Sequence, residues 1–499
     1  MKTSLVTDPW FSLHGAFLAS WAQFPCNEHL DTESIRNSDY IFVSHEHEDH
    51  LDLDFLRTCS PSTMILIPDY PSQRAWRRLT GGLPNEVRVL AERQRIALSG
   101  DLTITLVKQS VPIWDDCTII VETGDLTIAN SNDMKITPSD AAWIRDQFDI
   151  DYLFLQFSGA TWYPIAYDYP PAKKRKIAQQ KIANKFTNTL AIADAVGARY
   201  IVPTAGPPCF LDDSLFHLNF AEYSIFPSQH EFFEFARGRG EEGRLVVPLP
   251  GEEMVDPPVP ARSRNNFDAA HFVDRCTYLE EYRDRRRPHI QRRLARIPPS
   301  TESLLDRASP YFSSTMRSSH WLTQKIGGSI RLELTGTHPE DLVVDFSNPD
   351  DPVRDYDGQP CLYRMRTEAR FVREVFEGNI GWEDLLLSMR MSMSRRPDVY
   401  NEYLTVFLRY ANEAQFRLIE AYETREVPDQ TFEMVYADKR LEVQRHCPHT
   451  GGDLARGMVV DGQLVCPVHG WQFSLDTGEG SIPGYCITIR ELPNSRPSS

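Results

Sequence analysis

The sequence predicts a chain in three parts: an α/β part over residues 1–264, a helical and α+β module over 265–430, and a small all-β domain over 431–499. Three observations carry this. Short apolar runs bounded by Gly, Pro, Asp and Asn recur through the first half. Amphipathic helices and a pair of strands follow. The C-terminal stretch holds short strands joined by Gly-rich turns. A length of 499 residues fits two to four domains, at roughly 100–200 residues each.

In the first part the runs 40–43, 64–67, 102–107, 118–121, 152–155 and 200–202 read as buried strands. Residues 173–195 read as a helix with a basic start (Lys173, Lys174, Arg175, Lys176) and apolar spacing through Ile177, Ile182, Phe186 and Leu190. The Pro-rich stretch 248–263 reads as a linker or surface loop. Residues 265–307 read as helical and Arg-rich. In the module, strands are expected at 329–334 and 342–345, then helices at 368–377, 382–390 and 400–422.

Lys and Arg total 53 against 70 Asp and Glu, a formal charge of −17. Such a chain lacks the broad basic surface of a general nucleic-acid binder. Hydrophobic residues at 41% exclude a largely disordered chain. No apolar run of about 18 residues predicts a membrane span, and the first residues, MKTSLVTDPWF, lack the apolar core of a signal peptide. A cytoplasmic protein with no nucleic-acid or membrane partner is expected. The nine cysteines are odd in number and scattered, which is not a disulfide framework.

Two of them stand in metal-ligand spacing. Cys447-Pro448-His449 is followed by Cys466-Pro467-Val468-His469. C-x-H with C-x-x-H is the ligand set of a Rieske [2Fe-2S] centre, in which two thiolates hold one iron and two imidazoles hold the other. Gly451-Gly452 and Gly470-Trp471 let two tight loops approach such a cluster. A Cys₂His₂ zinc site is the competing reading, but the C-x-H pair is too close for an ordinary finger. CPHTGG…CPVHGWQF resembles the Rieske pattern throughout. Gly452 and Val468 occupy the places where high-potential respiratory members carry two further cysteines, so the resemblance implies the low-potential ferredoxin and oxygenase type.

A second motif, Ser44-His45-Glu46-His47-Glu48-Asp49-His50, follows the strand ending at Val43. H-x-H-x-D-H after a strand presents imidazoles and a carboxylate toward one point. It resembles the metallo-β-lactamase superfamily, and so implies a metallo-β-lactamase-like αββα sandwich. Asp8-Pro9-Trp10 resembles that superfamily's first motif, and Asp133 falls at its bridging carboxylate. Two of the superfamily's later histidines are missing from VKQSVPIWDD (107–116) and VPTAGPPCF (202–210). Two ligand sets remain: His45, His47 and Asp133, or Asp49, His50 and Asp133. Either is two imidazole or carboxylate donors beside one bridging acid, and the first is the two-His, one-carboxylate set of mononuclear non-haem iron. Asp49, His50 and Asp133 are the candidate catalytic residues. Iron is expected, with zinc as the alternative, and His217 is a further candidate ligand.

A cluster that moves single electrons, joined to an iron that activates O₂, points to a monooxygenase. The segments 155–167, 202–213 and 343–404 resemble the CMP-N-acetylneuraminate hydroxylase family, whose bacterial branch is the UDP-N-acetylmuramic acid hydroxylases. The C-terminal cluster motif is similar to the bacterial branch. The resemblance implies hydroxylation of the methyl of an N-acetyl group to N-glycolyl on a nucleotide sugar, with UDP-N-acetylmuramic acid favoured. It implies electrons from an NAD(P)H-dependent reductase and a small electron carrier. Gln156, Ser158 and Trp162 are candidate pocket residues. Lys173, Lys174 and Arg175 form one candidate patch for the anionic substrate, and Arg283, Arg285, Arg286 and Arg287 another. An oxygenase of another amino sugar or nucleoside, or a zinc hydrolase with a redox-sensing Rieske domain, are the alternatives. A homo-oligomer is expected if one subunit's cluster serves another's iron.

Overall fold

The computed structural model describes residues 3–109, 115–254, 267, 269–426, 429–437, 439–449, 451–466, 471–482 and 485–493. Two large sheets and a two-stranded one, Trp21–Ala22 with Cys209–Phe210, form the N-terminal part. In the first, β1 (Leu5–Thr7), β2 (Tyr40–Phe42), β3 (Met64–Pro68) and β4 (Val87–Leu90) run parallel in that spatial order. In the second, β5 (Ile96–Ala97), β6 (Thr103–Lys108), β7 (Cys117–Glu122), β8 (Thr127–Asn130), β9 (Tyr152–Gln156) and β10 (Tyr200–Thr204) lie side by side in chain order. Pairing is antiparallel up to β8 and parallel beyond it.

Strand periodicity sorts the side chains. Phe42 and Leu66 point between the sheets and meet Ile104, Leu106 and Ile119. Their neighbours Ile41, Val43 and Ile65 point outward and pack under Phe55, Leu56 and Leu79. On the opposite face Leu153, Leu155 and Ile201 lie under Phe186, Leu190 and Ala193 of the long helix α1 (Pro171–Val196). This is the αββα sandwich that the sequence predicts. Pro171 opens α1 at a position needing no backbone N–H, and Gly197 stops it at φ 76°. All six expected strands are present; β1, β4, β5 and β8, of two to four residues, are additional. Elements that short leave almost no periodic signal.

The central module carries a five-stranded sheet, in spatial order Val353–Asp355, Glu340–Asp345, Ser329–Thr335, Tyr363–Glu368 and Ser392–Arg395. Its core includes Phe312, Trp382 and Phe407. Two of its helices matter below: α2 (Trp382–Leu387) and α3 (Glu402–Tyr410). The single helix expected over 400–422 is corrected to two, α3 and α4 (Glu413–Glu423). Ala411 breaks it at φ 43°, and Asn412 caps the second piece by accepting from the Gln415 N–H.

The C-terminal part is two three-stranded sheets. One contains Thr431–Tyr436, Lys439–Gln444 and Ile489–Leu492; the other Met458–Val460, Gln463–Val465 and Gln472–Ser474. Val443, Leu464 and Phe473 form its core together with Cys447 and Cys466. The strand Met458–Val460 packs against α1. Among the described residues no helix is long and apolar enough to cross a membrane.

Candidate active site

Beyond β2 the chain turns through the histidine motif, and the backbone closes this turn where the N–H groups of His50 and Leu51 donate to the His47 carbonyl. His45 Nε2 and His47 Nδ1 face each other at 2.8 Å. With a carboxylate oxygen of Asp133, these donor atoms lie within 4.8 Å of one another. Asp133 arrives on the loop after β8. Asn132, at φ 48°, bends that loop and donates to the Cys117 carbonyl at 3.3 Å. A short polar side chain tolerates this left-handed backbone. Two imidazole nitrogens and a carboxylate oxygen gathered in a buried spot fit iron or zinc.

Outer groups fix the two rings. His47 Nε2 lies 3.2 Å from Glu383 of α2, whose same oxygen sits 2.8 Å from Arg409 Nε on α3. A carboxylate behind a ligand imidazole sets its tautomer and orientation. Burial would lower the His47 pKa, but Glu383 carries it up to about 9. Burial would raise Glu383, but Arg409 and His47 hold it at about 2. His45 Nδ1 faces Ser44 Oγ at 3.0 Å, and burial beside His50 and His47 pushes His45 well below its usual range. Burial also lifts Asp116 to about 6 and Asp115 to about 7.

The motif's acids divide by role. Glu46 turns away to Arg74 at 3.0 Å, and Glu48 accepts the Phe17 N–H at 2.6 Å. Asp52 caps the short helix Leu53–Leu56 and accepts the N–H groups of Phe11 and Ser12. Asp49 stays at the site, and its Oδ1 is buried with no hydrogen-bond partner among the described residues. His50 holds Asp8 through Nδ1 at 3.0 Å and turns Nε2 to Asp133 at 3.7 Å and Asp49 at 3.9 Å. The tighter donor group is therefore His45, His47 and Asp133, with Asp49 and His50 adjoining it. His217 stands apart: it is exposed on the turn Phe216–Phe220 and lines a different depression with Tyr223 and Arg390.

A cavity of about 480 Å³ opens over this centre. His47, Asp49, Asp116 and Asp133 line one side. Glu383 and Arg409 come from the central module, and Val465, Cys466 and Gln472 from the C-terminal domain. Gln156 and Ser158 also face it, and Gln156 Nε2 donates to Asp133 Oδ1 at 2.8 Å.

At the cluster motif, Cys447 and Cys466 are buried and neither forms a disulfide. Tight turns present them: the Gly451 N–H donates to the Cys447 carbonyl at 2.8 Å, with Gly451 at φ 70°, and the Cys466 N–H donates to the Trp471 carbonyl at 2.7 Å. Trp471 stacks on the His449 ring at 3.8 Å and 6°. His449 Nε2 meets the Glu402 carboxylate of α3, so Nδ1 would be its iron ligand. Two buried thiols and an oriented imidazole fit a [2Fe-2S] cluster. The fourth expected ligand, His469, lies outside the described residues.

The other candidate substrate groups are placed elsewhere. Lys173 pairs with Asp398 at 2.5 Å, Arg175 pairs with Glu222, and Lys174 donates to the Ile165 carbonyl. None lines the cavity, because the start of α1 projects beyond it. Trp162 packs between two hydrophobic cores. Arg286 is buried against Glu28 and Tyr282, while Arg283 and Arg287 face Asp213. None of the four arginines of that run lines the cavity. Sequence reasoning missed Glu383, Arg409 and Asp116, which carry no local pattern linking them to the histidine motif.

Residues 3–204 match the beta-lactamase superfamily domain, 304–425 an Rv3818-like, SCP2-like domain, and 410–485 the Rieske [2Fe-2S] domain. The Rieske 2Fe-2S iron-sulfur protein Rv3818 of Mycobacterium tuberculosis is 30% identical over 99% of this chain and 96% of its own length. The chain belongs to the Rv3818-like Rieske iron-sulfur protein family. A Mycolicibacterium smegmatis relative described in the same terms is 31% identical over 98% of this chain and 95% of its own. Aminopyrrolnitrin oxygenase PrnD of Pseudomonas fluorescens is 38% identical over 11% of this chain and 15% of its own. The family joins a metallo-β-lactamase-like domain to a Rieske domain. The chain itself is an enzyme of the Rieske iron-sulfur and metallo-hydrolase class.

Proposed function

We propose that the chain is a monooxygenase that hydroxylates the N-acetyl methyl of a nucleotide sugar to N-glycolyl, with UDP-N-acetylmuramic acid as substrate. One observation carries this reading: a single cavity is lined both by the metal donors His47 and Asp133 and by the cluster cysteine Cys466. A hydrolase has no use for an electron donor beside its substrate. The balance is R–CH₃ + O₂ + 2e⁻ + 2H⁺ → R–CH₂OH + H₂O. When bound, iron at His45, His47 and Asp133 would supply O₂ reduction and the cluster would supply electrons singly. The relation to an oxygenase over the PrnD-like segment supports the same chemistry.

The chain's own groups do the rest. Glu383 orients His47, and Gln156 orients Asp133. Asp49 lines the cavity and has one carboxylate oxygen without a hydrogen-bond partner among the described residues, so it is placed to accept or deliver a proton. All three parts of the chain line the cavity in which the substrate would lie. The electrons would come from an NAD(P)H-dependent reductase through a small carrier. The test supplies UDP-N-acetylmuramic acid, labelled O₂ and reducing equivalents to the iron-loaded full chain. Mass spectrometry should find one labelled oxygen on the acyl group. Turnover without O₂ by a zinc-loaded protein would overturn the reading.

A further inference from the structure

The cavity holds cations as well as metal donors. Helix α1 brings Lys181 and Lys185 into it, one helical turn apart, and Lys135 enters from the loop that carries Asp133. Lys185 Nζ donates to Gln156 Oε1 at 2.6 Å, and the other end of the same amide donates to Asp133 at 2.8 Å. Two hydrogen bonds and one amide width therefore put the Lys185 ammonium within about 8 Å of the Asp133 carboxylate. Among the described residues, no carboxylate forms an ion pair with Lys181 or Lys185. Among the described residues Lys181 has only the face of Tyr163, at 5.6 Å. A cation removed from water is costly unless an opposite charge meets it. The exposed Lys173, by contrast, already has Asp398.

We propose that Lys181 and Lys185, with Lys135 beside them, form an anion subsite that holds a phosphate-type or carboxylate group of the substrate next to the metal centre. The inference deepens the oxygenase reading and rests on it for the reaction, though not for the binding. It requires the anionic group to lie close to the reacting carbon rather than at the far end of a long substrate. Burial, with Lys135 nearby, pushes Lys181 and Lys185 down to about 8, and Asp133 offsets the shift only in part at Lys185.

The test titrates inorganic pyrophosphate, and separately acetate, into the full-length holoprotein at pH 7 and reads binding by calorimetry. At least one anion should bind. Lys181→Gln combined with Lys185→Gln should weaken that binding tenfold or more, while the cluster absorbance stays unchanged. Preference for pyrophosphate assigns the subsite to a phosphate-type group, and preference for acetate assigns it to a carboxylate. A second measurement needs no variant: the bound anion should protect Lys181 and Lys185 of the native protein from amine acylation, read by peptide mass spectrometry. Binding that survives the double substitution, or the absence of both binding and protection, would overturn the proposal. Lysine-dependent binding without oxygen gain on UDP-N-acetylmuramic acid would keep the subsite and remove the N-glycolyl reading. Oxygen gain with an unchanged KM in the double variant would do the reverse.

Discussion

The two metal-binding regions of this chain are built on opposite plans. The cluster motif is local, since its described ligands all lie between Cys447 and Cys466, on two turns of one small domain. The N-terminal centre is assembled from afar. His45 and His47 come from the end of β2, Asp133 from the loop after β8, and Glu383 from a helix of another module. Each region nevertheless leans a ligand histidine on a carboxylate of the central module: His47 on Glu383, His449 on Glu402. Helix α3 carries both Glu402 and Arg409, the partner of Glu383. Seven residues apart, they are separated by about 10 Å along the helix. The module between the two sites thus touches a ligand at each.

The comparison breaks most sharply at the ligands. His47→Ala should remove the N-terminal metal and abolish oxygen gain, while the cluster absorbance persists; Cys447→Ser should do the opposite. Metal analysis and visible spectra check both. Because metal donors and Cys466 share one cavity within one chain, mixing the two inactive proteins should restore no activity. Recovery on mixing would show that electrons cross between subunits.

A smaller effect is expected one layer out. Glu383→Gln should cost roughly 10–100-fold in metal affinity or turnover, the usual worth of a group that orients a ligand. Glu402→Gln should leave the N-terminal metal in place and raise the cluster's reduction potential, since a negative charge is lost beside His449. Redox titration followed by electron paramagnetic resonance checks the sign.

Anion binding should depend on pH. Lys181 and Lys185 titrate near 8, lowered by burial and by Lys135, with Asp133 opposing the shift at Lys185. Both are ammonium groups below that value. Pyrophosphate affinity should therefore be retained at pH 7 and fall as the pH rises through about 8. The smallest effect belongs to Lys173→Ala. Its pair with Asp398 is exposed, so thermal stability should change by less than about 1 kcal/mol and anion affinity should stay within about twofold.

Much of the scaffold was legible in the residues. The apolar run Tyr152–Gln156 and the helix Pro171–Val196, opened by Pro171 and stopped by Gly197, have clear boundaries. The histidine motif was legible because its donors are close in sequence and follow a strand. Glu383 was not, because it is brought to His47 by the packing of separate modules. The basic residues that line the cavity stand further along the same helix than the run that the sequence singles out. The run Lys173–Lys176 is the denser charge, but the cavity lies against the next turns, where Lys181 and Lys185 are spaced for one face. Net charge along a helix is read easily; the face that meets a cavity depends on what packs against it. The break at Ala411 was hidden for a related reason, since neither Gly nor Pro marks it.

The most direct test of one cavity serving two metal centres is a single turnover. The iron-loaded full chain would be reduced anaerobically and mixed with O₂ and UDP-N-acetylmuramic acid, and cluster reoxidation followed by absorbance. Rapid reoxidation with one oxygen gained per substrate, slowed at least tenfold in His47→Ala, is the expected result. Reoxidation at the same rate in both proteins, with no oxygen on the substrate, would contradict it.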